Sequence, residues 1–196
     1  MIAVLNTRIA NASSVLYALE NLGYSAKLSQ DPEELTRASR VILPGVGTAS
    51  ALMEHIKNGE LKQCLLELKV PVLGICLGMQ ALYDFSEEGN VDCLGVFGGS
   101  VKKFVPRVPL PIPHMGWNQV NSLGQSALLR GIPDGTYFYF VHSFVAPFGS
   151  ETRAETEYGG RVPAVVEGGN WFGTQFHPER SGKAGEVLLK NFLERI

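Results

Sequence analysis

Four short apolar runs, Ile2–Leu5, residues 25–28, Arg40–Leu43 and Val72–Ile75, punctuate the first half of the chain, and helical spacing fills the stretches between them. Val15, Leu16, Leu19 and Leu22 form one stripe after the first run, with Ser13 or Ser14 as N-cap and Gly23 in the stop position. Thr48 can cap a helix over residues 48–56, and Leu61, Cys64, Leu65 and Leu68 mark another by their spacing. Strands joined through helices cannot pair as hairpins. They require a mostly parallel sheet covered by helices on both faces, with Val72–Ile75, apolar throughout, near its centre.

The second half changes character. Prolines at 106, 109, 111 and 113 read as a stiff surface connection, and the run Y-F-Y-F-V at 137–141 predicts antiparallel pieces. Residues 171–176 return to a strand. An amphipathic helix from Ser181 closes the chain through Ala184, Val187, Leu188 and Phe192. The expectation is one domain over residues 1–196.

Composition narrows the function. With 17 basic and 19 acidic side chains, a net charge of −2 and no basic run longer than Lys102-Lys103, the sequence offers no footprint for a phosphate backbone, so no nucleic-acid partner is expected. No window approaches the ~20 apolar residues of a membrane helix, and the N-terminal stretch lacks the basic region and apolar core of a signal peptide. The three cysteines, Cys64, Cys76 and Cys93, lack close C-x-x-C spacing, which predicts reduced thiols in the cytoplasm, with neither metal nor cofactor.

The sharpest motif is V-P-V-L-G-I-C-L-G-M-Q at 70–80. A buried strand ends at Cys76, with Gly74 and Gly78 two residues away on either side, the pattern of a nucleophile elbow with a thiol in place of a hydroxyl. Glycines weaken a strand unless the backbone geometry demands them. Leu77 would begin a helix, placing its free N–H beside the sulfur. Of the four histidines, His177 best fits the base, because W-F-G-T-Q-F-H-P-E puts Glu179 two residues on, where an extended chain would hold it behind the imidazole. Pro178 places the pair at a strand end. His55 reads as solvated, and His114 and His142 as structural hydrogen-bonding groups. The glycine turn P-G-V-G at 44–47 could add N–H donors for an oxyanion; as a dinucleotide fingerprint it fails on the final glycine and on position.

Together, P-G-V-G, G-I-C-L-G-M-Q, P-H-M-G-W-N at 113–118, Y-F-V-H-S at 139–143 and F-H-P-E-R-S at 176–181 resemble the class I, triad-type glutamine amidotransferases. More narrowly, they resemble the glutaminase subunits of imidazole glycerol phosphate synthase. The resemblance runs almost end to end. It implies an open, flavodoxin-like α/β sheet with additional antiparallel strands in the second half. It further implies that Cys76 attacks glutamine, His177 shuttles the proton and Glu179 orients His177. Val46, Gly47 and Leu77 would serve the oxyanion, while Gln80, Glu88 and the backbone at Ser143 would hold the substrate head. Asn11, Met115, Trp117, Tyr139 and Arg180 would face a cyclase (β/α)8-barrel subunit, forming a heterodimer through which ammonia passes. Trp117 and Tyr139 could equally be core aromatics, and Arg180 a solvated charge. The alternatives are a glutaminase serving another synthase, such as those of anthranilate, GMP or pyridoxal phosphate, and a catalytically silent regulatory module.

Overall fold

The computed structural model describes residues 1–7, 12–45, 47–57 and 60–196. In chain order the elements are β1 (Ile2–Leu5), α1 (Ser13–Asn21), β2 (Ala26–Ser29), α2 (Pro32–Arg37), β3 (Arg40–Leu43), α3 (Ala49–Lys57), α4 (Leu61–Glu67), β4 (Val72–Ile75) and α5 (Leu77–Gln80). Then come β5 (Phe85–Ser86), β6 (Val91–Asp92), β7 (Ser100–Lys103), β8 (His114–Ser122), β9 (Thr136–His142), β10 (Phe144–Val145), β11 (Thr152–Glu157), β12 (Arg161–Gly168), β13 (Trp171–Thr174), a 3₁₀ turn (Pro178–Arg180) and α6 (Gly182–Glu194).

The main sheet has nine strands in the order β2-β1-β3-β4-β13-β12-β11-β8-β9. Its first five are parallel and the remainder antiparallel. A smaller sheet, β10-β7-β5-β6, lies beyond it. The period-2 alternation of the parallel strands divides the core in two. Val4, Ile42, Leu73 and Ile75 pack with α1 and α6 through Val15, Leu19, Leu188 and Phe192. Ala3, Leu5, Val41, Leu43 and Val72 pack on the opposite side with Leu35, Leu52, Met53, Ile56, Leu61 and Leu65 of α2, α3 and α4. Helices on both faces and a central β4 are thus as the sequence implies.

Three local readings change. The cap of α1 is Ala12, with no side-chain hydrogen bond, rather than Ser13 or Ser14. The second strand begins one residue later than the alternation suggested, and the strand at 171 ends at Thr174, because the chain must leave the sheet to reach the 3₁₀ turn. Helix α2 follows from D-P-E-E, in which the Asp31 side chain accepts from the Glu33 N–H and Pro32 takes the first turn.

Strand β9 ends the sheet order, yet its outer edge is not bare. The His177 N–H donates to the Tyr139 carbonyl at 2.9 Å, and the Tyr139 N–H donates to Ser181 Oγ at 3.0 Å. The proline-rich connection also packs, with Pro106, Val108 and Leu110 closing over Gly159.

Candidate active site

Strands β3, β4 and β13 run parallel side by side, so the chain leaves all three at one end of the sheet, where open α/β folds place their ligands. Cys76 leaves β4 at φ 54° and ψ −109°, a conformation unfavourable for a residue with a side chain. Its N–H is held by the Thr174 carbonyl at 2.7 Å, which ties the bend to β13. The two glycines of the motif serve close approach. A Cβ on Gly74 would lie 2.5 Å from the Gly78 oxygen, and one on Gly78 would lie 2.0 Å from the Leu43 carbonyl oxygen. The glycine turn after β3 is pressed against the same bend, since a Cβ on Gly45 would lie 2.1 Å from the Gly78 nitrogen.

Cys76 is 7% exposed and forms part of the wall of a cleft of about 300 Å³. His177 lines the same cleft. Its Nδ1 is 2.7 Å from Glu179 Oε1, both side chains being buried. The pairing does not use an extended chain as the i, i+2 spacing implied. Glu179 sits in the 3₁₀ turn that Pro178 starts, and the turn folds the carboxylate back onto the ring. The opposite ring nitrogen, Nε2, is buried without a hydrogen-bond partner among the described residues. Burial alone would lower the His177 pKa. The Cys76 side chain and the Glu179 carboxylate together overcome that penalty and raise it to about 10. Both neighbours thus favour the protonated form of the imidazole.

The remaining cleft wall includes Gly47, Leu77, Gln80, Glu88 and Ser143. As the first residue of α5, Leu77 has an N–H without an intrahelical acceptor. Gly47 is exposed with φ 107°. Val46 lies outside the described residues, as does Asn11. Glu88 reaches from the turn after β5 to accept the Ala49 N–H at 2.9 Å, capping α3 just beyond the glycine turn. Burial raises its pKa, partly offset by that N–H. Gln80 is buried, and its Nε2 donates to the Phe144 carbonyl at 2.8 Å and to Gln175 Oε1 at 2.9 Å. Only its oxygen remains available to a ligand.

Met115 and Trp117 are more than half exposed, so Trp117 is not a core residue. It meets Tyr139 edge to face, with ring centroids 6.1 Å apart, and the Arg180 guanidinium lies 4.6 Å from the Tyr139 ring centroid. These four form one aromatic and cationic surface rather than scattered positions. His114 and His142 are buried and bonded to one another at 3.0 Å, the structural role expected for them. His55 differs from expectation: it is half-buried and bonded to the Asn6 carbonyl at 2.9 Å. The sequence reading missed Gln175 and Pro113. The Gln175 side-chain amide lies 3.7 Å from Cys76 Sγ, and Pro113 brings the end of the proline-rich connection to the cleft rim. Neither carries a local signal, because both act through partners distant in the chain.

The glutamine amidotransferase class-I family profile matches residues 3–196. The chain belongs to this family, and it is an enzyme of the glutamine amidotransferase class, as the motifs implied. Among its relatives, the imidazole glycerol phosphate synthase subunit HisH of Yersinia pseudotuberculosis serotype I (strain IP32953) is 51% identical over 194 residues, covering 98% of both chains. Subunit HisH 1 of Vibrio vulnificus (strain YJ016) is 47% identical over 199 residues, covering 98% of this chain and 97% of its own. The fold also matches a crystal structure of a glutamine amidotransferase with a TM-score of 0.75, at 20% identity over 98% of this chain and 97% of that one. It matches PurLQS from Thermotoga maritima with a TM-score of 0.72, at 21% identity over 99% and 97%. No helix among the described residues is long and apolar enough to cross a membrane.

Proposed function

We propose that this chain is the glutaminase subunit of an imidazole glycerol phosphate synthase, releasing ammonia from glutamine for a cyclase barrel partner in histidine biosynthesis. The observation that carries the chemistry is the buried His177–Glu179 pair at 2.7 Å, lining one cleft with the sharply bent Cys76. In the reactive ion pair the Cys76 proton resides on His177 Nε2, leaving a thiolate. Its sulfur then adds to the glutamine side-chain carbonyl carbon, whose oxygen becomes an oxyanion facing the Leu77 N–H and the glycine turn. The imidazolium returns the proton to the amide nitrogen, the C–N bond breaks and ammonia departs. Water, deprotonated by His177, attacks the thioester; the C–S bond breaks and glutamate leaves. Glu179 holds the ring and its charge throughout.

Gln80 Oε1, Glu88 and the Ser143 backbone are the groups proposed to hold the amino-acid head. The paired HisH relatives, each matched at about half identity over nearly the whole length, favour the histidine-pathway partner over synthases of anthranilate, GMP or pyridoxal phosphate. The intact triad disfavours a silent module. The test is Cys76→Ala in complex with the cyclase. Glutamine-driven synthesis should disappear while added ammonium still supports turnover. Retained glutamine-dependent turnover would overturn the assignment of the nucleophile.

A further inference from the structure

We infer that Gln175 is a further catalytic residue, donating a side-chain N–H to Cys76 Sγ and supporting the sulfur in its charged form. This rests on the reading of Cys76 as the nucleophile.

Amide orientation follows here from the network rather than from the placement of nitrogen and oxygen. The Phe144 carbonyl can only accept. The Gln80 side-chain atom 2.8 Å from it must therefore be the nitrogen. That nitrogen is also 2.9 Å from one end of the Gln175 amide, which must then be the oxygen. The other end, Nε2, stands 3.7 Å from Cys76 Sγ, within reach of a hydrogen bond to sulfur. One acceptor-only carbonyl thus fixes the polarity of two successive amides and aims an N–H at the nucleophile.

The sulfur has a second polar neighbour, the Val141 carbonyl at 3.6 Å. The two neighbours favour opposite states. Only a thiol can donate to Val141, whereas the Gln175 N–H is best used by a thiolate, which accepts and has no proton to give. Gln175 is fully buried, so no water competes for its N–H, and its own backbone N–H is anchored to the Ala164 carbonyl at 2.9 Å. A residue present only to fill space would not need its amide polarised in this sense.

The test compares wild type with Gln175→Met, which keeps the length and removes the donor, and Gln175→Glu, which places an acceptor against the sulfur. Cys76 alkylation by iodoacetamide is followed against pH by peptide mass spectrometry, which separates it from Cys64 and Cys93. The alkylation midpoint should rise by about one pH unit in the Met variant and further in Glu, with kcat/KM for glutamine falling about tenfold and more. An unmoved midpoint in a folded Met variant would overturn the inference. Should the variants fail to fold, wild-type protein decides. The Gln175 side-chain NH₂ resonance should shift with the same midpoint as Cys76 alkylation and lose that shift in Cys76→Ala; a resonance flat across that range overturns the inference. Labelling of wild-type Cys76 by a diazoketone analogue of glutamine separates the two readings. If Cys76 is not labelled, the proposed function fails. If it is labelled but neither Gln175 readout moves, only the role of Gln175 falls.

Discussion

Cys76 combines a backbone angle suited to glycine with a side chain that the proposed chemistry needs, and the surrounding glycines make that possible through proximity rather than flexibility. Gly78→Ala should therefore be severe. Its methyl group would meet the Leu43 carbonyl of the neighbouring strand at 2.0 Å, a backbone atom that cannot rotate away. A loss of about 3 kcal/mol or more is expected from denaturant unfolding, or failure of the elbow to form. Glu179→Gln keeps the size but removes the charge that helps to hold the His177 pKa at about 10. Glutamate release by the complex should fall by roughly 10²–10⁴-fold, as when an imidazole loses its anionic support; a loss below fivefold would count against the pairing. At this scale the sequence was informative wherever function sits in adjacent positions. Cys76 between its glycines and His177 before Glu179 were legible for that reason. Gln175 was not, because the direction of its amide depends on Gln80 and Phe144, the former 95 positions away.

The β8–β9 hairpin shows how pairing turns two unremarkable histidines into one unit. His114 and His142 stand directly opposite across the ladder. His142 Nδ1 faces the Phe144 carbonyl and must carry a proton, so its Nε2 accepts from His114 Nδ1, and His114 Nε2 in turn accepts from Asn118. Both rings are neutral in this arrangement. Burial lowers the His114 pKa from 6.5 to about 4; burial and then the neighbouring His114 lower that of His142 to about 3. With folded values below the unfolded one, the stability they contribute is complete above pH 6.5 and drains away as pH falls toward 4. The drop should be on the order of 3 kcal/mol for each ring. Urea unfolding at stepped pH should give a shallower decline between pH 6.5 and 4.5 in His114→Phe than in wild type; equal slopes would refute the neutral pair. The aromatic run Y-F-Y-F-V announced this strand, but register cannot be read from one strand alone, and register is what brings the two rings together. The same limit applies to the small sheet, whose two-residue strands β5 and β6 are too short to carry a period.

Across the whole molecule, the alternation of apolar runs and helical stretches was enough to specify the parallel half and its two helical layers. The antiparallel half was legible only as a change of character, since long-range pairing there depends on contacts between distant segments. The exposed surface of Met115, Trp117, Tyr139 and Arg180 is the proposed docking face, and its energetic centre should be Trp117. Trp117→Ala should weaken cyclase binding about 30-fold in calorimetric titration while leaving the melting temperature of the free chain within a few degrees. An unchanged affinity would move docking elsewhere. Tyr139 also holds up the last strand of the sheet, whose backbone groups are taken by His177 and Ser181. An open β-edge invites self-association, and here the segment bearing the proposed base His177 doubles as its seal. Substitutions that loosen the 177–181 segment to study turnover will therefore also unmask a sticky border, and lost activity in such variants must be separated from clumping before it is assigned to chemistry.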